Sequence, residues 1–274
     1  MKGLFIRGIL VEMKILISND DGIDARGLHV LAKAFEKLGE VFVVAPLEEK
    51  STTGHSLTLH KPLRMIKKGP RHYAVNGSPA DCVYLGIREL IRKKPDLVVS
   101  GVNRGANLGQ DVYYSGTVSA AREASFLGIP SMAVSTAVNF FDPPEDRLIH
   151  YESAARQAVQ IIRLFSKIGL KKNIPKHTLM NLNVPDLPFS QLKPLRLGKQ
   201  GFRFYSGKIL KRKDHRGKNY FWVGGTYEGF QEDCGTDCDW VEHGHPCLVP
   251  LKLDVTDHAF AEVLRARFPR LEKK

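Results

Sequence analysis

Ile15-Leu16-Ile17-Ser18-Asn19-Asp20-Asp21-Gly22 joins a short apolar run to two adjacent carboxylates and a glycine. Three consecutive apolar residues after Lys14 are patterned as a buried strand of a parallel sheet, covered on both faces. Open α/β sheets place their ligand crevice outside the carboxyl ends of such strands. Neighbouring acids repel each other, and a cation beside them is the simplest way to keep both ionised. The stretch has two readings: a hard divalent metal site at a strand end, or only a turn in which Asp24 caps the next helix.

Working outward, Leu28, Leu31, Phe35 and Leu38 recur at helical spacing between Ala25 and Leu38, and Gly39 closes that helix. Val41-Phe42-Val43-Val44-Ala45 is a second buried strand, stopped by Pro46. Strand, helix and strand within roughly 30 residues make a right-handed parallel βαβ unit. Tyr73–Val75, Asp96–Gly101, Ser131–Ser135 and Thr178–Val184 continue the series of strands. Helices are expected over Pro79–Arg92, Val118–Leu127 and Pro143–Ile168. Leu57-Thr58-Leu59 and Leu63–Ile66 alternate as short half-exposed strands. From about Asp186 the regular alternation gives way to prolines, glycines and basic residues. Tyr220–Val223 reads as one arm of a hairpin, Cys247–Leu251 as a late strand and Asp257–Phe268 as a closing helix. The expected architecture is α/β: a doubly wound, mostly parallel sheet over 1–185, followed by a smaller hairpin-bearing extension over 186–274.

The 274 residues, 43% of them hydrophobic, suffice for one large α/β domain with an appendage. No apolar run approaches the roughly 20 residues that cross a bilayer. Met1–Glu12 carries Lys2 and Arg7 and lacks a small-residue cleavage site, so it does not read as a signal peptide. Met13 directly precedes the first strand, which makes 1–12 a candidate mis-assigned extension; the expected location is cytoplasmic. Cys82, Cys234, Cys238 and Cys247 are too few for a disulfide framework. The last three, near His243 and His245, lack the paired spacing of a zinc site and are expected as ordinary buried or edge cysteines. The net charge of +12 favours anionic partners. Between Lys199 and Lys218, Lys199, Arg203, Lys208, Lys211, Arg212, Lys213, Arg216 and Lys218 face only Asp214, with Phe202, Phe204 and Tyr205 interleaved. That segment reads as a nucleic-acid surface, as a loop drawing in a phosphorylated substrate, or as a solvated face.

Three strand ends deliver polar groups to one edge of the expected sheet: Asp20 and Asp21, the hydroxyls from Ser51 onward, and Asn103. Carboxylate, hydroxyl and amide oxygens are hard ligands that suit Mg²⁺, Mn²⁺ or Ca²⁺. So few charged ligands leave coordination positions open, as a catalytic metal requires. Ser115-Gly116-Thr117 at a helix start adds backbone N–H groups and hydroxyls, an anion cradle. Metal and cradle in one crevice point to phosphate-ester chemistry. Rival patterns are missing from the chain: no G-x-G-x-x-G follows the first strand, and there is no P-loop and no G-x-S-x-G elbow. Position 22 is glycine, so the two acids spaced two apart of aspartyl-phosphate phosphatases are missing too.

The blocks Ile17–Gly22 (ISNDDG), Ala45–Leu59 (APLEEKSTTGHSLTL), Val75–Cys82 (VNGSPADC), Asp96–Gly109 (DLVVSGVNRGANLG), Tyr114–Glu123 (YSGTVSAARE) and Asn181–Pro185 (NLNVP), with Gly235-Thr236-Asp237, resemble the stationary-phase survival protein SurE family. They run in order over about 13 to 260. The resemblance implies a Rossmann-like core and a metal-dependent nucleotidase releasing phosphate from nucleoside 5′- and 3′-monophosphates, with short polyphosphate as a further substrate. It implies one divalent cation per subunit, Mg²⁺ or Mn²⁺, on Asp20, Asp21, Ser51 and Asn103. Either acid is then a candidate proton acceptor, and Asn107, Ser115, Gly116 and Thr117 are candidate phosphate contacts. It also implies homodimers or homotetramers built through the C-terminal extension. The rival from another class is a nucleic-acid-binding protein using the basic extension.

Overall fold

Ile15, Leu16 and Ile17 have no exposed surface, and they stand at the centre of β1 (Met13–Ser18). Side chains alternate across a strand, so Ile15 and Ile17 face one way and Leu16 the other. The first pair packs with Leu28, Leu31 and Phe35 of α1 (Arg26–Phe35); Leu16 packs with Val44, Val83 and Ala120. Burying each such side chain stabilises the fold by about 1.5–3 kcal/mol. Because β1 is covered on both faces, its sequence carries no polar alternation. The computed structural model describes residues 13–91, 94–138 and 145–268. The readings of Met1–Glu12, of Arg92 as a helix end and of Pro143 as a helix start lie outside those residues.

The chain continues through β2 (Gly39–Pro46), β3 (Met65–Gly69), β4 (His72–Val75), α2 (Pro79–Leu85), β5 (Leu97–Arg104), α3 (Gly116–Phe126), β6 (Ser131–Ala137), α4 (Tyr151–Ile168), α5 (Leu170–Asn173) and β7 (Thr178–Pro185). After these come β8 (Arg196–Leu197), β9 (Arg203–Tyr205), β10 (Ile209–Lys213), β11 (Asn219–Val223), β12 (Tyr227–Phe230), α6 (Asp237–Glu242), β13 (Cys247–Lys252) and α7 (His258–Arg267). A nine-stranded sheet has the order β3-β4-β2-β1-β5-β6-β7-β13-β8. The run from β4 to β7 is parallel, whereas β3 pairs antiparallel to β4 and β13 antiparallel to β7. This is the expected α/β, Rossmann-like, mostly parallel sheet. From β1 the chain builds outward through β2 to one edge, then returns to β5 and builds toward the other. Such a reversal opens a crevice at the carboxyl ends of the two central strands. Asp20 and Asp21 follow β1, and Asn103 lies at the end of β5.

Several local expectations change. Leu57–Leu59 is not a strand, because the Thr58 N–H and hydroxyl donate to the Asp81 carboxylate (2.9 and 2.6 Å) instead of to a ladder. Asp81 also completes a capping box with Ser78 at the start of α2. The single helix expected from Pro79 leaves the α form after Leu85 and widens into a π turn over Gly86–Leu90. Asp24 does not cap α1, whose N-cap is Ala25 with no side-chain cap. The helix expected to run to Ile168 begins at Tyr151, since the preceding His150 N–H is taken by Asp186 (2.7 Å). From the extension, β13 and β8 join the main sheet, while β9 pairs with β12 and β10 with β11 in separate two-stranded ribbons. Cys238 and Cys247 are buried in a small apolar cluster beneath α6.

Candidate active site

The turn after β1 is set by Asn19 and Gly22. The Asn19 side-chain amide donates to the Gly22 carbonyl (2.9 Å), and Gly22 has φ +102°, a backbone region that L side chains rarely adopt. Asp20 is only 4% exposed, and its backbone carbonyl accepts the Lys50 N–H (2.8 Å) from the loop after β2. One hydrogen bond thus ties the first two strand ends together. The Thr117 hydroxyl, in the first turn of α3, donates to Asp20 Oδ1. Close approach here depends on Gly116: a Cβ at that position would lie 2.6 Å from the Asp20 Cβ and 2.7 Å from its Oδ2. The N-terminus of α3 therefore abuts the first carboxylate, where the helix dipole favours negative charge.

Burial pushes the Asp20 carboxyl up to about 6, against the opposing pull of the Thr117 hydrogen bond. Burial, reinforced by Asp20 and then by Glu49, pushes the Asp21 carboxyl up to about 7, although the Arg104 backbone N–H favours its ionised form. Two acids so close together, one buried and one half-buried, call for compensating positive charge when both are ionised. That demand, with hard oxygen donors alongside, fits a divalent cation. The Asn103 side-chain nitrogen donates to the Gly105 carbonyl (2.8 Å), which turns Oδ1 away as an acceptor. Ser51 is exposed, and its hydroxyl donates to Glu49 (2.6 Å). Asp20, Ser51, Asn103, Asn107 and Ser115 line one cleft of about 1090 Å³. Among the described residues no cluster of three or more His, Cys, Asp and Glu side chains could hold a metal. A cation here would depend on two carboxylates plus neutral oxygens.

The remaining expected contacts divide by what already holds them. Ser115 caps α3: its hydroxyl accepts the Val118 N–H (3.0 Å), and its own N–H reaches the Asp111 carbonyl (3.1 Å). Thr117 spends its hydroxyl on Asp20 and so orients a carboxylate. Asn107 is an anchor as well as a lining residue. Its N–H donates to Asn183 Oδ1 and its side-chain nitrogen to Ser135 (2.8 Å each), and its carbonyl accepts from Asn181 and Asn183 (2.9 and 3.0 Å). The NLN of β7, polar and fully buried, thus exists to pin the glycine-rich loop.

Two sets of long-range contacts could not be read from the sequence. His55 bonds Glu123 on α3 (2.9 Å) and stacks on Phe126, which ties the Ser51-bearing loop to the helix behind the cradle. The far side of the cleft is built by Phe202, Arg203, Tyr205 and Tyr227 of the extension. Its basic residues are less free than the sequence suggests, because Arg203 pairs with Asp111 (2.6 Å) and Lys199 with Asp233 (2.7 Å), acids distant from them in the chain.

The family model for survival protein SurE matches residues 15–207. The 5′-nucleotidase SurE of Geotalea daltonii is 47% identical over 253 residues, which is 92% of this chain and 98% of that protein. The 5′-nucleotidase SurE of Geobacter sulfurreducens is 46% identical over 93% of each chain. The crystal structure of the SurE protein from Aquifex aeolicus superposes with a TM-score of 0.79 at 39% identity, covering 93% of this chain and 99% of that one.

Proposed function

The chain belongs to the survival protein SurE family, and from that premise we propose that it is a divalent-metal-dependent phosphomonoesterase acting on nucleoside monophosphates. The relatives named 5′-nucleotidase support the substrate class. The observation that carries the reading is the adjacent Asp20 and Asp21 at the end of β1, with Asp20 buried against the N-terminus of α3. Both 5′- and 3′-monophosphates fall within the proposal, with short polyphosphate as a further substrate.

Asp20, Asp21, Ser51 and Asn103 would hold one Mg²⁺ or Mn²⁺. Such an ion supplies Lewis-acid polarisation of the phosphoryl oxygens and offsets the charge that builds up there. The chain's own groups do the rest. The Gly116 N–H would receive the phosphate, the Ser115, Thr117 and Val118 N–H groups being held by Asp111, Asp20 and the capping Ser115 hydroxyl. Thr117 fixes the rotamer of Asp20. Asp20 or Asp21 would accept the proton of an attacking water as the water adds to phosphorus and the nucleoside oxygen leaves. The extension, with its exposed β10–β11 ribbon, is the proposed contact for a homodimer or homotetramer.

The test is phosphate release from all ribo- and deoxyribonucleoside 5′- and 3′-monophosphates, with Mg²⁺ and Mn²⁺ in parallel and a chelated control. Turnover that needs added metal and falls on Asp21→Asn supports the assignment. Turnover that survives exhaustive chelation removes the metal role, and no turnover on any monophosphate removes the reaction.

A further inference from the structure

The cleft is much larger than a phosphate requires. At about 1090 Å³ it matches sites that take drug-sized ligands. Asp20 and Ser115 stand at one part of it, and Phe202, Arg203, Tyr205 and Tyr227 form another. Phe202 is 49% exposed and Tyr205 41% exposed although both line a concavity, so their rings are open to whatever enters it.

This wall is held in place from the phosphate side. The Arg203 guanidinium lies 4.3 Å from the centre of the Tyr227 ring and 5.4 Å from that of Tyr205. Asp111 Oδ2 accepts from both Arg203 (2.6 Å) and the Tyr205 hydroxyl (2.5 Å). The carbonyl of the same residue accepts the Ser115 N–H (3.1 Å) at the start of α3. Gln110 bonds the Arg203 backbone through both atoms of its amide (2.6 and 2.8 Å). A single short turn, Gly109–Tyr113, therefore carries the helix that faces Asp20 on one side and the aromatic wall on the other.

We propose that this wall is the nucleoside half of the cleft, with the base stacked on Phe202 and Tyr205, and that Asp111 is the positioning residue setting its distance from the phosphate cradle. The proposal rests on the phosphomonoesterase reading and extends it to how the nucleoside is held. Every base has a π-face, so stacking tolerates them all. The Tyr205 hydroxyl and one Arg203 nitrogen are already committed to Asp111, which removes them as readers of base edges. Purine and pyrimidine monophosphates should therefore be accepted within about a tenfold range of KM, as expected for stacking without edge readout.

The experiment compares Phe202→Ala, Tyr205→Ala, Asp111→Asn and Asp111→Ala with the unmodified chain. It measures KM and kcat for the adenosine, guanosine, cytidine and uridine 5′-monophosphates and for glycerol 1-phosphate, which has no base. Calorimetry of adenosine and uridine gives the base contribution without any reaction. Phe202→Ala should raise the ratio of nucleotide KM to glycerol-phosphate KM about tenfold and weaken nucleoside binding to a similar degree, the range measured for base–aromatic stacking. Asp111→Ala should do the same, and Asp111→Asn, which still accepts from Tyr205, should recover part of the loss. Equal shifts for nucleotide and glycerol phosphate, or unchanged nucleoside binding, would overturn the proposal. Nucleoside binding that depends on Phe202 in a chain that hydrolyses no monoester would leave the wall standing and remove the hydrolase reading.

Discussion

Asp21→Asn preserves volume and most hydrogen bonds while removing one of two charges, so it separates chemistry from packing. It should lower kcat by at least about a hundredfold, the lower end of what general acid–base groups contribute, with the melting temperature unchanged or raised. The sign of the stability effect follows from the raised carboxyls. Asp20 and Asp21 hold their protons more tightly in the folded chain, up to about 6 and about 7, than at the ordinary value of 3.8. The folded state thus binds more protons than the unfolded state between those limits, and stability falls as pH rises through them. In chelator, the melting temperature should decline from about pH 4 to pH 7, the reverse of a salt-bridged carboxylate, and Mg²⁺ or Mn²⁺ should flatten that decline. A profile unaffected by metal would show that no cation compensates the pair. Gly116→Ala tests the neighbouring contact, since its Cβ would meet the Asp20 side chain at 2.6 Å. Backbone and carboxylate must separate, so phosphate release should be lost together with roughly 1–3 kcal/mol of stability, the usual cost of overpacking, read by denaturant unfolding.

At the scale of elements, the glycine-rich loop after β5 is only as well placed as its anchor. Asn183→Leu keeps the volume in β7 but strips the partner from the Asn107 N–H and one partner from its carbonyl. Leaving such buried groups unpaired costs about 1–3 kcal/mol, so a fall of several degrees in melting temperature is expected. KM should rise as well, because Asn107 sits on the loosened loop and Asn103 directly precedes it at the end of β5. These asparagines also show what was legible in the chain. β1, β2 and β5 begin as apolar runs that meet acids, a proline or a glycine, and with the mainly apolar β6 and β7 that pattern located the sheet and the crevice. Asp20, Asp21 and Asn103 followed because a strand end is a place in three dimensions as well as in sequence. Ser51 needed the family resemblance, since Thr52 and Thr53 offer the same chemistry one and two residues later. The roles of Asn181 and Asn183 were not legible, as their partner Asn107 is over 70 residues away. Leu57–Leu59 misled because alternation promises a strand only where a ladder partner exists, and Thr58 had already bonded to Asp81. The wall of Phe202 and Tyr205 was visible as aromatics among basic residues, but nothing local tied it to Asp111.

For the whole molecule the open surface is the β10–β11 ribbon, exposed at every residue, with Phe221 at 59%, Trp222 at 62% and Val223 at 90%. Isolated two-stranded ribbons are marginal in water, and apolar groups so exposed mark contact surfaces. The same ribbon and its turn carry Lys208, Lys211, Arg212, Lys213, Arg216 and Lys218. Apolar contact between subunits and capture of nucleic acid therefore compete as uses for it, and salt separates them. Like charges brought together in an oligomer repel, and added salt screens that repulsion, so assembly should hold or tighten from 50 to 200 mM salt. A single strand bound through six cations would instead weaken roughly 300-fold over that range, from the slope of counterion release. Sedimentation of the full chain at both ionic strengths, beside Phe221→Ser/Trp222→Ser, is the decisive comparison. The oligomer reading expects assembly that survives salt and is lost in the double variant, with little affinity for single-stranded RNA at 200 mM. A chain that stays monomeric at every salt concentration, yet binds RNA with the steep slope, would reassign the ribbon to nucleic acid.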